Sequence, residues 1–132
     1  MDRLFLDANV LFSAAYRPDA GVAKLWRFKD AELITSAYAL EEARLNLETP
    51  EQKARLEKLA AAARVLETHE EAELPEGIKL PAKDLPILQA ALAARATHLL
   101  TGDFRHFGRY FGKKVAGVLV ITPSDYLSTQ KG

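Results

Sequence analysis

The chain has 132 residues, 48% of them apolar, which is enough for one substantial core, and a single domain over residues 1–132 is expected. Its 18 basic and 18 acidic side chains cancel, so the strongly basic balance of many nucleic-acid binders is missing. That weighs against nucleic acid without excluding it, because a carboxylate-rich site offsets the cations around it.

Cysteine is absent, which excludes disulfides, thiolate zinc sites and a cysteine nucleophile, and fits a reducing cytoplasm. The N-terminus carries Asp2 and turns polar again at Asp7, unlike a signal peptide. No stretch reaches the roughly 20 apolar residues that cross a bilayer. A soluble, cytoplasmic protein without a membrane partner is expected.

Residues 4–6 (LFL) form a short apolar run ending at Asp7, and residues 8–16 follow as a helix, so a buried strand runs into a helix. Pro18 and Gly21 break the chain, and residues 22–28 suggest a second helix. Residues 32–35 (ELIT) predict a second strand, running into Ser36 as N-cap of a helix over 37–47. Thr49, Pro50 and Gln52 combine a capping residue, a proline at the first helical position and the partner that closes a capping box. A helix from 50 to about 63 follows.

A third strand is predicted over 64–67 (RVLE), then an acidic, proline-bearing connection over 69–83, expected to be the least ordered stretch. Ile87, Leu88, Ala91, Leu92 and Ala94 recur at helical spacing, and residues 98–101 (HLLT) give a fourth strand that stops at Gly102 and Asp103. Residues 118–121 give a fifth, after which Ser124 is placed to cap a last helical turn. Strands alternating with helices predict an α/β fold: a three-layer α/β/α sandwich around a mostly parallel sheet of about five strands.

In such a sheet ligands bind beyond the carboxyl ends of the strands. Asp7 and Asp103 stand there. Asp84 opens the helix that leads into the strand before Asp103, and Glu42 lies on the helix after the second strand, so all four acids are placed to converge on one edge. Hard divalent cations such as Mg²⁺ and Mn²⁺ take oxygen ligands of this kind, and without a cation the clustered charges would repel until one acid took up a proton.

Three segments carry a family resemblance. LFLDANVLFSA (4–14) resembles the opening motif of PIN domains, a strand ending in Asp-x-Asn before a small-residue helix; SAYALEEARLNL (36–47) resembles the second motif; and KDLPILQAALAARATHLLTGDFRHF (83–107) is similar to an Asp before an alanine-rich helix and a strand ending in Thr-Gly-Asp. The Ile-Thr-Pro near residue 121 falls where the family often places its last strand, so the resemblance spans nearly the whole chain. It implies an endoribonuclease in which one or two Mg²⁺ or Mn²⁺ ions, held by Asp7, Glu42, Asp84 and Asp103, activate a water against an RNA phosphodiester. Asn9 and Thr101 would orient carboxylates or waters. Many single-domain members of this size are toxins of toxin–antitoxin pairs, so the resemblance also implies a homodimer and a small antitoxin whose basic side chain reaches the acids. Other members act in RNA processing.

Each residue has a plainer alternative. Asp7 and Asp84 both precede helices and could be N-caps, and Asp103 could sit in an ordinary turn. Glu42 is preferred to Glu41 because it flanks the apolar face defined by Leu40, Ala43 and Leu47, whereas Glu41 points nearly opposite. His69, His98 and His106 are too scattered for a zinc site. His106 stands three residues after Asp103, and with Arg105 and Arg109 it is a candidate RNA contact; Lys113 and Lys114 belong to the same basic run, which could equally be a solvated face. Trp26 and Phe28 suggest core or a partner surface more than base stacking.

Two other functions remain open. A phosphohydrolase or receiver-like domain also uses an Asp after its first strand, but no lysine follows a later strand here. A catalytically silent PIN-like module that binds RNA or protein would be marked by a lost acid, and none is lost.

Overall fold

The computed structural model describes residues 1–67 and 73–130. His69 lies outside the described residues. The strands are β1 (Asp2–Leu6), β2 (Ala31–Ser36), β3 (Arg64–Leu66), β4 (His98–Leu100), β5 (Lys114–Val115) and β6 (Val118–Ile121). The helices are α1 (Ala8–Tyr16), α2 (Ala37–Asn46), α3 (Pro50–Ala61), α4 (Leu85–Ala93), α5 (Phe104–Phe107) and α6 (Pro123–Thr129).

The strands form one sheet in the order β3-β2-β1-β4-β6-β5, parallel throughout except at β5. Successive side chains of a strand point to opposite faces. Leu4, Phe5 and Leu6 are all fully buried, so β1 is covered on both faces, as a layered α/β fold requires. α1 packs on α2 and α3. Asp7 and Asp103 therefore lie just beyond the ends of strands whose centres are locked in the core.

Local sequence explains most elements. The capping box of α3 is present, with the Thr49 hydroxyl accepting from Gln52 N (3.1 Å) and the Gln52 side chain accepting from Thr49 N (3.0 Å). Ser36 caps α2 by accepting from Ala39 N at 3.1 Å.

Three expectations need correction. The segment over 22–28 is a 3₁₀ helix, Gly21–Arg27, closed by three-residue bonds such as Ala23 N to Ala20 O and Phe28 N to Leu25 O, with no capping side chain at Ala20. The cap of the last helix is Thr122, whose hydroxyl accepts from Asp125 N (3.0 Å); with Pro123 in the first turn, Ser124 already lies inside the helix. The sheet has a sixth strand, β5, joined to β6 by the two-residue turn Ala116-Gly117. Both turn residues have positive φ (49° and 87°), the geometry of a tight hairpin turn.

Of the connection before α4, Leu74, Ile78 and Leu80 pack partly buried against the core. Among the described residues, no helix is long and apolar enough to cross a membrane.

Candidate active site

From β1 the chain moves outward through β2 and β3, then returns to place β4 on the other side of β1. Strand order reverses there, and a crevice opens beyond the carboxyl ends of β1 and β4. Asp7 follows β1 directly. Asp103 follows β4 by way of Thr101 and Gly102, and the two strand ends are tied by Asp7 N donating to Leu100 O at 3.1 Å.

Asp7 is 3% exposed, and both its carboxylate oxygens are engaged. Oδ1 accepts from Ala8 N at 2.7 Å, capping α1; Oδ2 accepts from the Thr101 hydroxyl at 2.8 Å and from Asn9 Nδ2 at 3.1 Å. Thr101 Oγ1 in turn accepts from Asp103 N (3.1 Å), and Asn9 Oδ1 accepts from Gly102 N (2.8 Å). Asn9 and Thr101 thus brace Asp7 against the loop that carries Asp103. The capping role does not compete with a place in the cleft: Asp7 has both.

Asp84 sits at the start of α4 without capping it, because its side chain accepts no bond from the helix. It is 8% exposed. Its Oδ2 lies 3.0 Å from His106 Nδ1, which lies 2.8 Å from Asp103 Oδ2. These are ion-pair distances, but neither is aligned as a hydrogen bond, so buried Asp84 Oδ2 and His106 Nδ1 are left without a hydrogen-bond partner. Asp103 Oδ1 accepts from His106 N at 3.0 Å, capping the single turn of α5.

Glu42 is half-buried on α2, whereas Glu41 is exposed and paired with Arg44, which also holds Glu57. All four acids line one open cleft of about 480 Å³, with Phe12, Asn46 and Lys83 among its other walls.

Crowding shows in the proton affinities. Burial is the largest influence on Asp7 and, with the charges of Asp84 and Glu42, outweighs the bonds from Thr101 and Ala8, raising its pKa from 3.8 to about 6. Asp84 is also raised, chiefly by burial and then by Asp103, against the opposing effects of His106 and Lys83. Tyr38, whose hydroxyl donates to Lys83 O at 2.7 Å, is raised by burial and by Glu42, Asp84 and Asp7. A buried carboxylate oxygen without an aligned hydrogen bond, beside further carboxylates under mutual repulsion, is a donor set that suits a hard divalent cation. Asp84, Asp103 and His106 can bring one ligand atom each within 4.8 Å of one another.

His106 therefore lies among the acids, half-buried, and differs from the solvated arginines beside it. Arg105 and Arg109 are exposed and line an adjoining cleft with Lys79. Lys114 acts on His98 at the opposite end of the sheet, away from the acids. Trp26 donates from Nε1 to Leu59 O at 3.0 Å, tying the 3₁₀ segment to α3. Tyr38 and Asn46 were not singled out from sequence, and nothing local marks them; Lys83 adjoins Asp84 and was open to notice.

A family model described as PIN domain matches residues 3–105. None of the curated proteins matches the chain by sequence. Among solved structures, the chain is similar to one in the crystal structure of VapBC2 from Rickettsia felis bound to a DNA fragment from their promoter. The two share 18% identity at a TM-score of 0.66, covering 91% of this chain and 98% of that one. At that identity the likeness concerns the fold.

Proposed function

The chain belongs to the PIN-domain family, and on that premise we propose that it is a metal-dependent endoribonuclease, the toxin of a toxin–antitoxin pair. The observation that carries the reading is the convergence of Asp7, Glu42, Asp84 and Asp103 on one cleft at the sheet's switch point. Mg²⁺ or Mn²⁺ would be held by these four acids. When bound, such a cation lowers the pKa of a water and offsets charge developing on the phosphate.

The protein's own groups prepare that site. Thr101 and Asn9 fix the orientation of the Asp7 carboxylate, so it need not reorganise. His106 stands between Asp84 and Asp103 and spaces their carboxylates. Arg105 and Arg109, exposed in the adjoining cleft, would meet RNA phosphates outside the acidic cleft. The net repulsion inside the cleft also suits a partner whose basic side chain enters it, which supports a small antitoxin; VapBC2, the fold neighbour, was crystallised on promoter DNA. A homodimer in the cytoplasm completes the proposal.

The test is cleavage of a mixed single-stranded RNA pool by purified protein with Mg²⁺ or Mn²⁺. Cutting should vanish in EDTA and fall on the order of a thousandfold in Asp7→Asn and Asp103→Asn. Glu42→Gln should also lose activity while Glu41→Gln keeps it. A folded protein that cuts RNA with neither metal would leave the silent binding module in place of the nuclease.

A further inference from the structure

A second, larger cavity of about 840 Å³ adjoins the acidic cleft. The two share Asn9 and Gly102 as walls, so they lie side by side. Its volume lies within the roughly 300–1,000 Å³ typical of sites for small ligands. Unlike the acidic cleft it has no carboxylate in its wall, and it carries two cations, Lys24 and Arg27. These stand three apart on the 3₁₀ segment, whose three-residue turn stacks them on one side. Both are exposed, and neither is ion-paired among the described residues.

The same cavity is lined by Phe104, which immediately follows Asp103 and is 68% exposed. Its place in the wall beside the acidic cleft leaves a ring face open to stacking. Phe111 steadies it, with ring centroids 4.8 Å apart. Phe28 lies in the wall, and Ser124 and Ser128 bring hydroxyls that bond to no described residue.

We propose that this cavity is the subsite for a nucleotide of single-stranded RNA adjoining the scissile phosphate, its base stacked on Phe104 and its backbone phosphate met by Lys24 and Arg27. An aromatic face needs an unstacked base, which favours a single strand over a duplex, and free hydroxyls suit the edges and 2′-OH groups that RNA presents. An apolar peptide would leave both cations without a partner. The inference rests on the ribonuclease reading for why a strand comes here, yet binding can be measured apart from cleavage.

The experiment is a fluorescence-anisotropy titration of a labelled, mixed-sequence RNA decamer in EDTA, which prevents metal-dependent cutting. The subsite predicts that the native chain binds and that Lys24→Glu with Arg27→Glu weakens binding about tenfold. Phe104→Ala should weaken it about fivefold, and Phe104→Tyr should restore it. The three side chains are exposed, and melting curves confirm that the variants fold. Absence of binding, or equal affinity in all variants, overturns the proposal, and equal binding of a DNA decamer overturns the choice of RNA. Cleavage of the same RNA by the same variants separates the two readings. A native chain that cuts, with variants that cut equally well, removes the subsite and keeps the nuclease. A native chain that never cuts, with binding that still follows the variants, removes the nuclease and keeps the subsite.

Discussion

β4 is bracketed by two threonines that do opposite things. At its amino end Thr97 Oγ1 accepts from Arg3 N (2.8 Å) and donates to Arg3 O (3.0 Å), and nearby the buried Tyr126 hydroxyl donates to Asp2 Oδ2 at 2.7 Å. Polar groups there are mutually satisfied, and they hold β1, β4 and α6 together. At the carboxyl end Thr101 serves carboxylates that repel one another, and Asp84 Oδ2, beside His106, has no aligned hydrogen bond. One end of the sheet is arranged for stability and the other for a charge it does not itself contain. That difference can be pressed at three points.

The largest effect concerns Asp7. Its pKa is raised on folding from 3.8 to about 6, so the folded state favours the protonated acid. Stability from this group is fully present below about pH 3.8 and is lost as pH rises through about 6, to a total of roughly 3 kcal/mol. In EDTA, denaturant melts should therefore show the native chain losing stability between pH 4 and 7 relative to Asp7→Asn, with the two converging again once Mn²⁺ is added to the native chain. A difference that does not change with pH would mean that Asp7 is not held against its charge.

The next effect compares the threonines. Thr101→Val keeps shape but removes the strongest influence lowering the Asp7 pKa and the acceptor for Asp103 N. RNA cleavage should fall by about ten- to a hundredfold, with the acid limb of its pH profile moved upward. Thr97→Val should lower the melting temperature and leave the cleavage rate and profile as they were. Equal losses of cleavage from both would remove the functional distinction between the ends.

Much of this division is written locally in the chain. Asp7 and Asp103 were legible because each ends an apolar run and opens a helical one, and the capping box at Thr49 was legible because its residues lie within one turn. The same Thr-Pro signal recurs at Thr122 and Pro123, where Ser124 was preferred to it. β5 was hidden, since a two-residue strand has no periodicity and is held only by its hairpin with β6. His106 could be seen near Asp103 but not beside Asp84, because that contact is made by the tertiary fold. The acidic set was readable as residues; its repulsion and its bracing depend on burial, which the sequence does not state.

The smallest effect lies at the amino end. Tyr126 is 2% exposed, and burial and the Asp2 carboxylate keep its phenol protonated. Tyr126→Phe removes one bond and leaves Asp2, half-exposed, free to turn to water, so the cost should be about 1 kcal/mol by denaturant melts. RNA cleavage should be unchanged. β1 nevertheless runs from Asp2 to the residue before Asp7, a rigid connection between the two ends. A Tyr126→Phe chain that melted normally but cut RNA more slowly would show that the amino end sets the position of Asp7 through that strand, and the two ends would then be one mechanical unit instead of two separate arrangements.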